Sequence, residues 1–250
     1  LLGPLVAITN KLVPASVGTK PVGAARPAFL DQDALATPVI ALEVTRRELL
    51  RVGLRVRSML VGAVPAAMAG TRRELSDIEQ RDDEVDALHS EVVAYLRDLS
   101  RRQLSKAQCS EMLRLLRVNN ELEQMADVIV TGVVAPGLRR IDEVVTVSPA
   151  TSSRMVDLQH VVLGTLDDAL EALGTGDPDA AVRAAESKAD FYDLELMATE
   201  HLENRLTAPD PARIAAYSIE VGMVDGLRRA RQSCRRVASA ARVEQPEATT

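Results

Sequence analysis

The amino-acid sequence predicts an all-α protein made of two tandem three-helix bundle units, with six long antiparallel helices. Three observations lead to this prediction. Of the 250 residues, 46% are hydrophobic but only 2% are aromatic, whereas β-sandwiches and barrels are rich in aromatic and β-branched residues. Helix-capping signals recur along the chain at intervals of one long helix. A pattern of acidic residues recurs after 107 residues, which indicates an internal duplication.

Each helix of the first unit begins at a cap residue. The predicted helices run from Thr37-Pro38 to about Gly62 or slightly beyond, from Thr71 to about Leu104, and from Ser105 to about Val134. Thr71 with Glu74, and Ser105 with Gln108, have the spacing of a capping box, in which side chain and backbone cap each other. Pro136-Gly137 is expected to end the third helix. These helices place the first unit at residues 37–137.

The same signals recur in the second half of the chain. The predicted helices run from Ser148-Pro149 to Gly174-Thr175-Gly176, from Asp177-Pro178 to about Leu206, and from Asp210-Pro211 to about Ala241. Each begins with a proline at the first helical position, where its missing N–H costs nothing. The second unit is therefore expected at residues 148–242, followed by a tail at 243–250.

The first 36 residues differ in character from the helices. The chain begins with Leu1 and is apolar up to Val13, and prolines and glycines then punctuate residues 14–36. The apolar stretch is shorter than the roughly 20 residues that a membrane span needs. We expect residues 1–36 to be the end of a membrane helix followed by a linker. The alternative is a short amphipathic docking segment.

Composition also excludes several classes of function. The net charge of −6 and the scarcity of aromatic residues argue against a nucleic-acid partner. Cys109 and Cys234 form neither a CxxC motif nor a disulfide framework. No Gly-x-Ser-x-Gly or other nucleophile motif occurs, so we expect no enzyme activity and no catalytic residues.

Acidic and amide side chains form two stripes on neighbouring predicted helices. One stripe has the spacing i, i+4, i+7 and the other i, i+3, i+7, which place each set on one helix face. The candidate metal ligands are Glu79, Asp83, Asp86, Asn120, Glu123 and Asp127. Clustered carboxylates raise one another's pKa unless a cation neutralises them, and hard divalent or ferric ions prefer oxygen ligands. A solvated acidic face is the alternative.

These residues carry a resemblance to a known family. Leu122-Glu123-Gln124-Met125-Ala126-Asp127, preceded by Asn119-Asn120, resembles the Glu-x-x-x-Asp helix signature of PhoU domains. The acidic stripe of the preceding helix matches the stripe of the partner helix in that family. The resemblance implies two three-helix units and a metal ion such as Fe, Zn, Mn or Mg. A Glu-x-x-His motif, which a di-iron oxidase needs, does not occur in the sequence.

A second resemblance lies upstream. Arg26-Pro27-Ala28-Phe29-Leu30-Asp31, followed by Leu35-Ala36-Thr37-Pro38 and Ala41-Leu42-Glu43, is similar to the junction at which bacterial Na+/phosphate cotransporters pass into a C-terminal cytosolic PhoU-like domain. This resemblance implies a regulatory domain on the cytoplasmic face of the membrane, partnered by the transporter part of the same protein. The Gln-Ser-Ser motifs of the transport repeats do not occur in this sequence.

Several alternatives stay open at this point. The chain could be a free-standing PhoU regulator or a metal-dependent helical enzyme, and homodimerisation is undecided. An arginine stripe at Arg47, Arg51 and Arg55 suggests contact with anionic lipid or a solvated face. The second unit has Arg228 where the first has Glu123, so we expect Arg228 to neutralise a second acidic stripe. That stripe consists of Glu186, Asp190 and Asp193.

Overall fold

A computed structural model describes residues 25–186, 188–206 and 211–241 of the chain, so the expectations for residues 1–24 and 243–250 lie outside it. The described residues are helical and contain no strand, which confirms the all-α prediction. The helices are α1 (Pro38–Ala69), α2 (Arg72–Leu99), α3 (Lys106–Ile129), α4 (Ala135–Asp142), α5 (Pro149–Thr175), α6 (Pro178–Glu186), α7 (Lys188–Leu206) and α8 (Pro211–Ala241). A 3-10 turn (Asp33–Ala36) precedes α1, and a π-turn (Val130–Val134) joins α3 to α4.

The capping predictions are largely confirmed. Both capping boxes form, so the backbone N–H groups at the starts of α2 and α3 have side-chain acceptors. Gly176 ends α5 in the left-handed conformation, with φ of 72°, which a residue with a side chain rarely adopts. Thr37 precedes α1 as expected, but its side chain makes no capping hydrogen bond.

Three predicted helix ends are wrong. α1 continues past Gly62 to Ala69, and α2 stops at Leu99 rather than near Leu104. Pro136 does not end the third helix, because the π-turn comes first and the N–H of Ala135 bonds to the carbonyl of Val130. The turn shifts the hydrogen-bond register before the proline, so α4 continues to Asp142.

Pro65 lies inside α1, and a side chain from the second unit compensates for its missing N–H. A proline leaves the carbonyl four residues earlier, here that of Val61, without its helical donor. Gln159 of α5 donates from Nε2 to the carbonyls of Val61, at 3.1 Å, and Leu60, at 2.6 Å. The second unit thus stabilises a weak point in the central helix of the first.

Replacing Gln159 with leucine is expected to lower the free energy of unfolding by about 1–3 kcal/mol, because the buried hydrogen bond to the Leu60 carbonyl and the half-buried one to the Val61 carbonyl are both lost. Gln159 is 4% exposed, so water cannot easily take the place of the amide. Urea unfolding monitored by circular dichroism measures the effect. Gln80→Leu, at an exposed position of α2, is the control for loss of an amide side chain alone. A loss no larger than that of the control would contradict this role.

The helices form two units of three that pack against each other. In the first unit, α1, α2 and α3 contact one another, and in the second α5, α6–α7 and α8 do so. The units meet through two antiparallel helix pairs, α1 with α5 and α3 with α8. The four paired helices form the centre of the protein, and α2 and α6–α7 flank it on opposite sides. α2 packs against α1 and α3 of its own unit.

The burial pattern defines how the two units correspond. Buried positions of α3 recur in α8 after 105 residues, as with Leu122 and Leu227. Buried positions of α2 recur in α6–α7 after 106 residues, as with Val85 and Phe191. The acidic pattern that recurs after 107 residues is therefore one residue out of structural register, which turns it by about 100° around the helix.

One described helix, α1, is long and apolar enough to cross a membrane by length and composition. More than half of its most apolar stretch, 56%, is buried inside the protein. The central helix of a globular bundle passes the same test for length and composition. In this fold α1 packs against α2, α3 and α5.

Candidate metal centre

Three carboxylates meet between α2 and α3 on the outer face of the first unit. One oxygen from each of Asp82, Asp86 and Asp127 lies within 4.8 Å of the others. Asp82 and Asp86 are one helical turn apart, and the parallel course of their side chains points both at α3. Asp86 and Asp127 are exposed, whereas Asp82 is half-buried. The arrangement offers oxygen ligands at a spacing that a single cation could span.

Repulsion and burial make this group of acids unfavourable without a cation. Burial, together with the charges of Asp86, Asp127, Asp83 and Glu123, raises the pKa of Asp82 to about 7. Burial and the charge of Asp127 raise the pKa of Asp86, and burial likewise raises the pKa of Glu123. A bound cation would relieve all three shifts at once.

The side chain of Asp82 also has an oxygen with no hydrogen-bond donor. Its Oδ1 atom is buried, and none of the residues that the structure describes donates to it. A buried carboxylate oxygen without a donor costs free energy, so the donor set fits a hard cation. Asp82, Asp86 and Asp127 would hold such an ion, and Glu123 is close enough to interact with their charges.

The structure brings together only part of the predicted ligand set. Asp86 and Asp127 belong to the trio, and Asp83 and Glu123 act on it through their charges. Glu79 lies one turn earlier on α2 and is not part of the trio. Asn120 interacts with His89, whose Nε2 lies 3.1 Å from its Oδ1.

Sequence reasoning missed Asp82 and His89. Asp82, Asp86 and His89 have the spacing i, i+4, i+7, which is the same spacing that selected Glu79 and Asp83. Nothing in the sequence of α2 alone decides which of the two overlapping stripes faces α3. The contact of Asn119 with α2 would have identified the stripe that faces α3, because this buried amide donates to the carbonyl of His89 at 3.2 Å.

The corresponding place in the second unit carries different chemistry. With the register set by burial, the positions of Asp82, Asp86 and Asp127 are taken by Lys188, Tyr192 and Gln232. Because these residues supply no carboxylate, the second unit lacks the donor set of the first. The two units therefore differ in sequence at these three positions, and the prediction that only the first unit binds a metal stays a prediction.

An ion pair does form in the second unit, but its described partners are not the predicted ones. The Arg228 guanidinium contacts Asp225, and its Nε lies 3.5 Å from Glu195 Oε1 on α7. Glu195 and Arg228 occupy the positions of His89 and Glu123 in the first unit. The prediction named Glu186, Asp190 and Asp193 because it used the 107-residue offset, and the side chain of Asp190 lies outside the described residues.

The arginine stripe of α1 makes ion pairs within the protein. Arg47 pairs with Glu43, Arg51 with Glu48, and Arg55 with Glu84. Arg57 makes a two-pronged contact with Asp167 of α5, at 2.6 and 3.0 Å. Arg55 and Arg57 join α1 to α2 and α5, whereas Arg47 and Arg51 pair within α1, so an anionic lipid surface would compete with existing partners.

A shallow cleft of 320 Å³ lies at the far end of α2, lined by Gly70, Thr71, Arg72, Arg140, Ile141, Val144, Val145 and Thr146. Its two arginines already have partners. Arg140 donates to the carbonyls of Ala67 and Gly70, and Arg72 pairs with Asp142. Arg140 therefore holds the turn between α1 and α2, and both arginines of the cleft are already engaged by protein groups.

Comparison with known proteins agrees with the fold. Residues 49–132, which include the acidic trio, match the PhoU domain. The chain is 25% identical over 208 residues to the protein named "Putative inorganic phosphate export protein YjbB" of Escherichia coli K12, and 26% identical to the Salmonella typhimurium protein of that name. These alignments cover 82% of this chain but only 37% of each relative.

Solved structures show the same architecture. PhoU from Pseudomonas aeruginosa is similar with a TM-score of 0.73 at 20% identity, covering 80% of this chain and 94% of that one. The phosphate transport system regulatory protein PhoU from Streptococcus pneumoniae is similar with a TM-score of 0.70 at 13% identity, covering 82% and 95%. At these identities the likeness shows the fold alone. Residues 49–132 therefore resemble a PhoU domain in sequence, and the described helices have a PhoU-like fold.

Proposed function

We propose that this chain is the cytosolic regulatory PhoU-like domain of a longer, sodium-dependent phosphate transporter, and that it controls the flux of phosphate through that protein. The observation that carries the proposal is the unequal coverage of the alignment with YjbB. Most of this chain corresponds to little more than a third of that protein. In a longer phosphate-transport protein, a helical domain of this kind is suited to a regulatory role rather than to conduction.

The direction of the controlled flux follows from the same relatives. The sequence alone favoured regulation of phosphate uptake, whereas the name of the relatives is that of an export protein. Sodium-coupled carriers can run in either direction according to their gradients, so a single domain could restrain both movements. The proposal therefore concerns control of phosphate flux, with efflux as the direction that the relatives support.

A cation at the acidic trio is the second part of the proposal. The trio and Glu123 would bind one divalent or ferric ion, and binding would neutralise charges that repel α2 from α3. The ion would tie these two helices together on the outer face of the first unit. Glu79, Asp83 and Asn120, which the sequence also predicted as ligands, would then lie near the ion without coordinating it.

Titration of the metal-free chain with Mn²⁺, Zn²⁺ or Fe³⁺ tests the cation site. A bound ion at a hundred times its Kd is expected to raise the free energy of unfolding by about 2.7 kcal/mol. Asp127→Asn should abolish this gain, and Gln232→Asn, at the corresponding position of the second unit, should leave it unchanged. A stoichiometry of one ion per unit would contradict the unequal units.

Transport assays test the regulatory role. Cells that express the full-length protein with and without this domain are compared for efflux and uptake of radioactive phosphate, with sodium and with choline in its place. Removal of the domain is expected to raise the sodium-dependent flux or free it from the phosphate status of the cell. Unchanged flux and unchanged response to phosphate would overturn the proposal.

A free-standing PhoU regulator is the second candidate. The observation in its favour is that the solved PhoU chain from Pseudomonas aeruginosa is covered over 94% of its length, so the same set of helices constitutes a whole protein there. The two candidates differ in the genomic sequence upstream of Leu1. Several apolar spans in the same reading frame support the transporter domain, and a nearby initiator codon supports the free regulator.

A further inference from the structure

A fully buried carboxylate holds the segment that leads into the first helix. Glu48 of α1 is 0% exposed, and its Oε2 accepts hydrogen bonds from the backbone N–H groups of Ala28, at 2.8 Å, and Phe29, at 2.9 Å. Its Oε1 accepts from Arg51 Nε at 2.9 Å. All of these donors bond to one side chain. Glu48 is therefore the centre of the contact between the bundle and residues 26–31, which we call the lead segment.

Two further contacts extend this attachment along the lead segment. Arg51 Nη2 donates to the carbonyl of Arg26 at 2.9 Å, and the Tyr95 hydroxyl of α2 donates to the carbonyl of Asp31 at 2.7 Å. Tyr95 is 2% exposed. The backbone from residue 26 to residue 31 is therefore held at both ends and in the middle by polar side chains of α1 and α2.

The second unit shows that the fold itself does not need this carboxylate. Buried positions of α1 recur in α5 after 110 residues, as with Val56 and Leu166. On that register the counterpart of Glu48 is Leu158, which is also 0% exposed, and the counterpart of Arg51 is Val161. The apolar side chain of Leu158 thus occupies the corresponding buried position of α5.

A buried charge at a position that accepts leucine calls for a reason other than packing. Taking a carboxylate out of water is costly, and replacing a buried ion pair by well-packed apolar residues is often neutral or stabilising. In the first unit the cost is offset by the two backbone N–H groups and the arginine that Glu48 receives. The two backbone N–H groups are present only because the lead segment crosses α1 at this point, whereas Arg51 belongs to α1 itself.

We propose that Glu48, Arg51 and Tyr95 form a latch that docks residues 26–31 on the bundle, so that this segment and the helical domain move as one body. The latch lies on the two helices, α1 and α2, that the Arg55–Glu84 ion pair also joins. A change in the spacing of α1 and α2 would therefore reach the lead segment directly. This consequence rests on the proposed function, whereas the docking itself does not.

Glu48→Leu, which copies the second unit, tests the latch by hydrogen exchange on the full 250-residue chain. The amides of Ala28 and Phe29 are expected to exchange about 10- to 100-fold faster, as the loss of hydrogen bonds to a charged acceptor implies. The thermal midpoint of the helices is expected to stay the same or to rise. Glu43→Leu, at an ion-paired surface position on the same helix, is the matched control and should leave both quantities unchanged.

Tyr95→Phe provides an independent arm, because it removes only the hydroxyl that bonds to Asp31. It is expected to speed exchange in the peptide around Asp31 several-fold and to leave the exchange of α3 unchanged. Exchange of the lead segment as slow in both variants as in the parent chain would overturn the latch. Loss of helical structure in Glu48→Leu would overturn it as well, since Glu48 would then be needed for the fold.

The transport assay separates the latch from the proposed function. With Glu48→Leu in the full-length protein, regulation of phosphate flux is expected to weaken while the isolated chain keeps its response to Mn²⁺. Faster exchange with unchanged regulation would retain the docking and reject its role in coupling. A domain whose removal already leaves flux unchanged would reject the regulatory proposal instead.

Discussion

Asp82→Asn is expected to stabilise the metal-free protein at pH 8 by about 2 kcal/mol. The pKa of this carboxyl is raised to about 7, so the folded state holds the proton more tightly than the unfolded chain does. Ionisation of Asp82 is therefore unfavourable in the folded state, and the free energy of unfolding falls as the pH rises from about 4 to about 7. The full shift would correspond to roughly 4 kcal/mol, and we halve it because the side chain is only half-buried.

The pH dependence identifies the cause of this stabilisation. In the presence of a chelator, the free energies of unfolding of the parent chain and of Asp82→Asn should converge near pH 4, where both carry a neutral side chain. Glu79→Gln, one turn away and outside the trio, is the control for removal of one carboxylate from the same helix. A benefit of equal size at pH 4 and pH 8 would mean that packing, and not charge, is responsible.

Bound metal should make the parent chain more stable than Asp82→Asn, which reverses their order in the metal-free state. Saturating Mn²⁺ is expected to stabilise the parent chain at pH 8 and to leave Asp82→Asn almost unchanged, because the amide supplies a weaker ligand than the carboxylate. The effect should be smaller at pH 5, where protons compete with the cation for the trio. Urea unfolding with and without the ion measures both.

Gly226→Ala is expected to destabilise the protein by about 3 kcal/mol, although alanine favours helices over glycine elsewhere. A Cβ atom at Gly226 would lie 2.4 Å from the carbonyl oxygen of Gly132, where α8 crosses the π-turn after α3. The obstructing atoms are backbone, so relief requires the two units to move apart. In a protein of this size, the loss corresponds to a fall in Tm of roughly 6–12 °C.

Gly164→Ala is the matched control for this crossing. Gly164 lies in the interior of α5, and a Cβ atom there has nothing within 4 Å. Alanine should therefore stabilise the chain by up to about 1 kcal/mol through helix propensity alone. Opposite signs for the two substitutions would show that contact between the units limits position 226. A gain in both would mean that the units are not in close contact there.

The cap residues show how far local sequence can specify this fold. Thr71 with Glu74 and Ser105 with Gln108 begin helices where predicted, because capping is decided within four residues. Helix ends were predicted less well, since neighbours decide them. α1 passes through Pro65 because Gln159, 94 residues further along the chain, bonds to the carbonyl that the proline leaves free.

The acidic site shows the corresponding limit for function. The sequence correctly placed Asp86, Glu123 and Asp127 on facing helices, and it predicted that only the first unit has metal-binding chemistry. It selected Glu79 in place of Asp82 because both belong to stripes with the same spacing. Rotation of α2 about its axis decides between the stripes, and packing of residues such as Val85 against the other helices sets that rotation.

The sequence by itself determined the helical class, the duplication and the chemical character of the acidic face, because composition, capping and helical spacing are local properties. Only the tertiary structure decided the register between the two units, the membership of the acidic trio and the attachment of the lead segment at Glu48. Each of these depends on which groups from distant parts of the chain share one buried space, and a pattern along one helix carries no information about its neighbours.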